Sequence, residues 1–205
     1  MESSSLSEMH ISALKEIGNI GAGNACTALA TFMNTMVDMT VPNVRMLDPA
    51  MVNKMIAVDK GVVLGIKVGI KEDLTGMLIS IVSKEFASRL INVYYPKELN
   101  SLSDIDDMDR SVLCEMGNIT SGACANSLAT LTGMVVDIIP PEALSCSVSE
   151  LLRLPVDAFS KNGEKVVVID EEFKVERTEL SSHLFIILDS ESLNKVFERI
   201  GLPPV

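Results

Sequence analysis

The 205-residue chain is 47% hydrophobic, holds no tryptophan and carries a formal net charge of −11. That acidic balance excludes nucleic acid and anionic membrane surfaces as natural partners, because both are bound by clustered lysine and arginine. The apolar fraction is that of a compact globular protein with a substantial core, not of a disordered chain.

The first stretch, MESSSLSEMH, has neither the basic nor the apolar region of a signal peptide. Residues 17–37 and 116–136 are free of charge and long enough to cross a bilayer, but each holds several Asn, Ser, Thr or Gly, including Asn19, Asn24 and Asn34. They read as long helices largely buried in protein, with no membrane insertion. Cys26, Cys114, Cys124 and Cys146 show no CxxC spacing, so reduced thiols and a cytoplasmic location are expected.

The chain repeats itself. EIGNIGAGNACTALAT (16–31) returns as EMGNITSGACANSLAT (115–130), and about 13 of the 31 positions in 12–42 match 111–141, where unrelated sequences would give roughly two. In chain order each half then offers a strand (37–46; 136–139) and a short helix (48–55; 147–154). Two β-rich runs follow, GVVLGIKVGI and TGMLISIVS in the first half, EKVVVIDEEFKVE and SHLFIILD in the second. A closing amphipathic helix completes each unit, KEFASRLINVYY or ESLNKVFERIG. YPKELNSLSDIDD (95–107) is the junction, and about eight extra residues of the second half are assigned to a loop in PVDAFSKNGEK (155–165). The expectation is an α+β fold in which one antiparallel-rich sheet of about six strands is covered by long helices. It is read as a single internally duplicated, pseudo-two-fold domain over 1–205, with repeats at about 8–94 and 105–201.

At about 100° per residue, Ser12, Glu16, Asn19 and Gly23 share one helix face, opposite Leu14, Ile17, Gly21 and Ala25. Ser111, Glu115, Asn118 and Gly122 share the matching face of the second helix, with Leu113, Met116 and Leu131 behind. Polar residues on a helix face are ordinarily just a solvated surface. Asn is a poor helix former, however, and two copies of Glu-x2-Asn in register, each with a glycine one turn beyond, point past solvation. Gly18 and Gly117 also recur, on the flank, where they suggest close helix packing. Gly23 and Gly122 leave room above the Asn for an approaching partner.

His10 and His183 are the only histidines and have no metal-ligand spacing, so no metal is expected on this chain. No GxSxG elbow or Walker A sequence appears, and GNIGAG lies inside a helix. An Asn amide both donates and accepts, so it can hold a water for attack without generating hydroxide. Such a site suits a substrate that is already labile and already charge-compensated. An aspartyl phosphate on a receiver domain is one.

The pattern Ser-x3-Glu-x2-Asn, followed twenty-three positions on by Pro, resembles the signature of the CheC-type chemotaxis phosphatases (CheC, CheX and FliY types). It stands here twice, as Ser12, Glu16, Asn19, Pro42 and as Ser111, Glu115, Asn118, Pro141. The resemblance implies a phosphatase for the response regulator CheY. Asn19 and Asn118 would orient the attacking water, and Glu16 and Glu115 would pair with the regulator's active-site lysine. No cofactor is implied on this chain, and Mg2+ is expected on the regulator. The resemblance also implies binding to the receptor deamidase CheD; the leucine-dense run with Leu151, Leu152 and Leu154, absent from the first half, is the candidate surface. The flagellar-switch module of FliY-type proteins is not expected after Val205. The alternative is a binding module of the flagellar switch or adaptation system that docks CheY-phosphate without hydrolysing it.

Overall fold

A computed structural model describes residues 6–56, 61–160, 165–176 and 181–205. Each repeat opens with a 26-residue helix, α1 (Glu8–Met33) and α4 (Asp107–Thr132). Ser7 Oγ accepts the His10 N–H at the start of α1, and the Asp106 carboxylate accepts the N–H groups of Met108 and Asp109 at the start of α4. Asn34 and Gly133 end the two helices in the left-handed region, at φ 48° and 66°.

After α1 come β1 (Val37–Met39), β2 (Asn43–Leu47), α2 (Pro49–Ile56), β3 (Val63–Glu72), β4 (Gly76–Val82) and α3 (Lys84–Ile91). After α4 come β5 (Val136–Ile138), β6 (Glu142–Cys146), α5 (Val148–Phe159), β7 (Val166–Val175), β8 (Ser181–Leu188) and α6 (Ser190–Arg199). The strand expected at 37–46 is two strands, because Pro42 cannot donate to a ladder. The second half divides the same way at Pro140 and Pro141, which adds β6 to the expected set and brings the sheet to eight strands.

The sheet runs β1-β7-β8-β4-β3-β5, with β2 also on β7 and β6 also on β3, and every pairing is antiparallel. The halves exchange strands. Asn43–Leu47 and Val37–Met39 pair with β7 of the second half, while Glu142–Cys146 and Val136–Ile138 pair with β3 of the first. At the centre β4 lies beside β8, with Ile79 opposite Phe185.

Alternation along the strands builds a core on each face. Ile169, Phe173, Leu184 and Ile186 face α1 and α4, where Phe86 of α3 and Phe197 of α6 also pack. Val166, Val168, Phe185 and Ile187 face α5. The closing helices are tied to the opposite repeat's motif helix. His10 Nε2 donates to the carbonyl of Pro203, beyond α6, at 2.9 Å. Its counterpart Asp109 is buried, accepts the Tyr95 hydroxyl at 2.6 Å and pairs with Lys97, both beyond α3. Burial pushes the Asp109 pKa up, but the hydrogen bonds from Lys97 and Tyr95 outweigh it and hold the group below its ordinary value.

Two expectations on the second half are corrected. Residues 155–159 continue α5, with Pro155 inside the helix, so this part of the expected loop is helical; residues 161–164 lie outside those described. Leu151 and Leu152 are buried between α5 and the sheet, and Leu154 is half-buried against the same cluster. Leu151 sits over Gly65, where even a Cβ would overlap it. The leucine run is core because α5 needs an apolar face to cover β7 and β4.

Glu171 is the anomaly of this core. It is 0% exposed, and neither carboxylate oxygen has a hydrogen-bond partner among the described residues. Burial first, and then the charge of Asp170, push its pKa up to about 8. Gly18 lies over Ile169 as Gly117 lies over Ile66, so the counterpart of Glu171 two residues along the other strand is Val68. An unfolded glutamate ionises near pH 4.5, and the folded one stays protonated until about 8. Across that window the unfolded chain binds fewer protons, so stability contributed by the neutral acid is lost as the pH rises. Glu171→Val, which copies the other repeat, is expected to flatten the decline and to gain about 2 kcal/mol or more at pH 8. Urea unfolding of both chains at pH 5 and pH 8 checks it; parallel pH dependences would show that Glu171 is not the titrating group.

Candidate functional site

The faces expected to be exposed are exposed. Ser12, Glu16 and Asn19 on α1 and Ser111, Glu115 and Asn118 on α4 all stand in solvent, while Gly23 and Gly122 are half-buried. Behind them, Leu14, Ile17, Gly21 and Ala25 of α1 and Leu113 and Met116 of α4 are buried. Ala28, Phe32 and Leu131 are only partly covered, because the buried stripe of each helix drifts toward Leu29 and Met33 or Leu128 and Thr132. None of the four Glu and Asn side chains is held by a hydrogen bond or ion pair among the described residues. Ser111 Oγ instead donates back to the Asp107 carbonyl at 2.9 Å. Each Asn therefore costs helix propensity and gives nothing back to the fold.

The four recurrent glycines separate into two kinds. A Cβ on Gly18 would lie 2.6 Å from Ile169 Cγ2, 2.7 Å from Glu171 Oε1 and 3.1 Å from Pro42 Cβ. On Gly117 it would lie 2.5 Å from Ile66 Cγ2 and 3.7 Å from Pro141 Cβ. These glycines are sites of close helix packing, and what they seat the helix on is the sheet, with the motif prolines beside them. The helix-to-helix seam is at Gly21, whose Cβ would meet Cys124 of α4 at 3.7 Å, and at Asn24, whose amide donates to Ser127 Oγ at 2.8 Å. Gly23 and Gly122 are different. A Cβ there would find only Met39 at 3.9 Å or Ile138 at 4.0 Å, which is ordinary contact. The fold does not require those two glycines.

The two fronts are not identical. Tyr94, 51% exposed, stands near Glu115 and packs its ring on Phe32 with centroids 5.3 Å apart. Burial, then the Glu115 charge, raise its pKa. The counterpart of Phe32 is Leu131, so the aromatic pair marks the second front alone. Sequence reading missed Tyr94 because it lies in the opposite repeat from Glu115.

No group of three or more His, Cys, Asp or Glu among the described residues has the arrangement to hold a metal ion. His10 is committed to Ser7 and Pro203, and His183 to Asp170 at 3.1 Å. No helix among the described residues is long and apolar enough to cross a membrane.

The model of the CheC-like family matches residues 9–46 and 108–145, the two motif helices with the strands that follow them. Over those two segments the chain is similar to the CheC-like family. It is 28% identical over 200 residues to the CheY-P phosphatase CheC of Bacillus subtilis (strain 168), spanning 96% of both chains. Among solved structures it resembles FliY of Thermotoga maritima, with a TM-score of 0.74, 23% identity and coverage of 96% of this chain and 98% of that one. It also resembles a chain of the CheX–CheY–BeF3–Mg2+ complex of Borrelia burgdorferi, with a TM-score of 0.56, 18% identity and coverage of 83% and 96%. The α+β fold is that of these solved structures, and the two matched segments mark the internal duplication.

Because no described residue comes closer than ordinary contact to a Cβ on Gly23 or Gly122, alanine there is expected to gain helix propensity without overlap. Gly23→Ala and Gly122→Ala should each raise the unfolding free energy by up to about 1 kcal/mol. Thermal melts read the sign, and a loss at either position would mean that the glycine serves the fold.

Proposed function

We propose that this chain hydrolyses the aspartyl phosphate of the response regulator CheY, using two Glu–Asn fronts, one per repeat. The observation that carries the reading is that Glu16, Asn19, Glu115 and Asn118 stand exposed on matched faces, with no side-chain partner among the described residues. The name of the Bacillus subtilis relative, a CheY-P phosphatase, supports it. The two repeats, about 8–94 and 105–201, act as one domain, since each long strand pairs with strands from the other repeat.

In the proposed step a water attacks phosphorus in line with the P–O bond to the aspartate. That bond breaks, the aspartate carboxylate is regenerated, the water proton leaves to solvent and inorganic phosphate is released. Asn19 or Asn118 accepts a hydrogen bond from the water through its amide oxygen and fixes its direction of attack. Glu16 or Glu115 pairs with a lysine at the regulator's phosphorylation site and sets the docking register. Mg2+ belongs to the regulator, where it offsets charge on the phosphoryl oxygens. A hundredfold acceleration requires a barrier lower by only about 2.7 kcal/mol, within reach of positioning alone. The missing side chains at Gly23 and Gly122 let the regulator's loop approach each Asn closely. Association with the deamidase CheD is part of the same reading, through a surface other than the buried Leu151 and Leu152. Action in the cytosol is part of it too.

Phosphate release from phosphorylated CheY tests the assignment. Asn19→Ala with Asn118→Ala is expected to return hydrolysis to the regulator's own rate with the fold intact, since both positions are exposed. Each single variant should retain part of the stimulation. A double variant as active as the parent would remove the Asn residues from the reaction, and a double variant that binds but an equally inert parent would favour a docking module.

A further inference from the structure

Exposed large apolar side chains recur at one matched position on the two motif helices. Met9 is 66% exposed on α1 and Met108 is 65% exposed on α4. They are counterparts at the same ninety-nine-residue spacing as the Glu–Asn pairs. At about 100° per residue each falls roughly 60° from the motif serine that follows it and about 20° from the glutamate, on the same face. A single exposed methionine is unremarkable. Two, at equivalent positions in the first turn of otherwise polar helix starts, where Glu8 and Asp107 precede them, are not required by the capping that neighbouring His10 and Asp109 supply.

Distance decides what meets them. At about 1.5 Å per residue Met9 lies roughly 15 Å along the axis from Asn19, and Met108 the same from Asn118. A folded domain of about a hundred residues has a radius of gyration near 13 Å, and a stable interface covers about 800 Å² on each partner. A domain seated on either Asn therefore extends over the methionine one turn before the motif serine. The front it meets is polar from Ser12 to Asn19, so the methionine is an apolar element available to that footprint at both fronts, with Tyr94 beside it at the second alone. An unbranched thioether also adapts to a partner surface at little strain.

We propose that Met9 and Met108 are docking anchors for the receiver domain, each seating an apolar depression of the partner beside its phosphorylation site. This rests on the proposed reading of the Glu–Asn fronts and assigns them a specificity element. The methionines do not touch the reacting atoms; they set affinity and register.

Titration with beryllofluoride-activated CheY tests the anchors apart from hydrolysis. Met9→Ser with Met108→Ser is expected to raise Kd about tenfold, with an unchanged circular dichroism melt, because both side chains are in solvent. Met9→Leu with Met108→Leu should restore the parent Kd, and the loss in the serine variant should persist at high salt, where a charge contact would be screened. An unchanged Kd in the serine variant would overturn the proposal, as would failure of the parent to bind activated CheY. Phosphate release by the parent is measured alongside. A parent that binds through its methionines but does not hydrolyse would contradict the phosphatase reading and leave the anchors standing.

Discussion

Each motif helix rests its backbone on a β-branched side chain of the sheet, and it can do so only because the residue at the point of contact is glycine. Gly18 over Ile169 and Gly117 over Ile66 are the same contact made twice. Each glycine immediately precedes the asparagine of its front, so the depth of that seat sets how far Asn19 and Asn118 project from the protein. Pro42 and Pro141 stand beside the seats and immediately precede the second short strand of each repeat. A serine, glutamate, asparagine and distant proline thus belong to one pattern for a physical reason: the proline shapes the floor on which the helix that carries the other three is placed.

Strand exchange makes that floor rigid. Ile169 lies on β7, which is paired with β2 of the first repeat and β8 of the second, and Ile66 lies on β3 between β4 and β6. Neither seat is an edge. The helices meet each other at Gly21 and Cys124, and their starts are fastened through His10 and Asp109 to the segments that follow the opposite closing helices. The proposed role of each front, holding one water in line, would benefit from such a support, since small displacements cost rate. The buried carboxyl of Glu171 beside one seat is the exception, a neutral acid where the other repeat has Val68.

Much of this was legible in the sequence because the repeat doubled the signal. Exposed Glu16 and Asn19, with Glu115 and Asn118, follow from helical periodicity and a charge-free apolar back. Partner choice was not legible. Periodicity reports that Gly18 is on the flank but not whether a helix or a strand lies there, so its contact with Ile169 had to come from the fold. Leu151 and Leu152 read as a surface patch because nothing local reveals that α5 continues through Pro155 and needs them to cover β7. The strand Glu142–Cys146 has a weak apolar pattern and exists because β3 offers it a ladder. Glu171 looks like any strand acid, and its burial depends on α1 crossing above it.

The sign of one stability change tests the seat most directly. Gly→Ala in an open helix stabilises by about 1 kcal/mol, whereas overpacking a close contact typically costs about 1–3 kcal/mol. Equilibrium unfolding of Gly18→Ala and Gly117→Ala therefore separates the two cases at constant chemistry. The account predicts that both variants are less stable than the parent, Gly18→Ala more so because three side chains crowd its Cβ. A gain of about 1 kcal/mol at either position would mean that the helix does not rest on the sheet there, and the placement of the asparagine fronts would lose its cause.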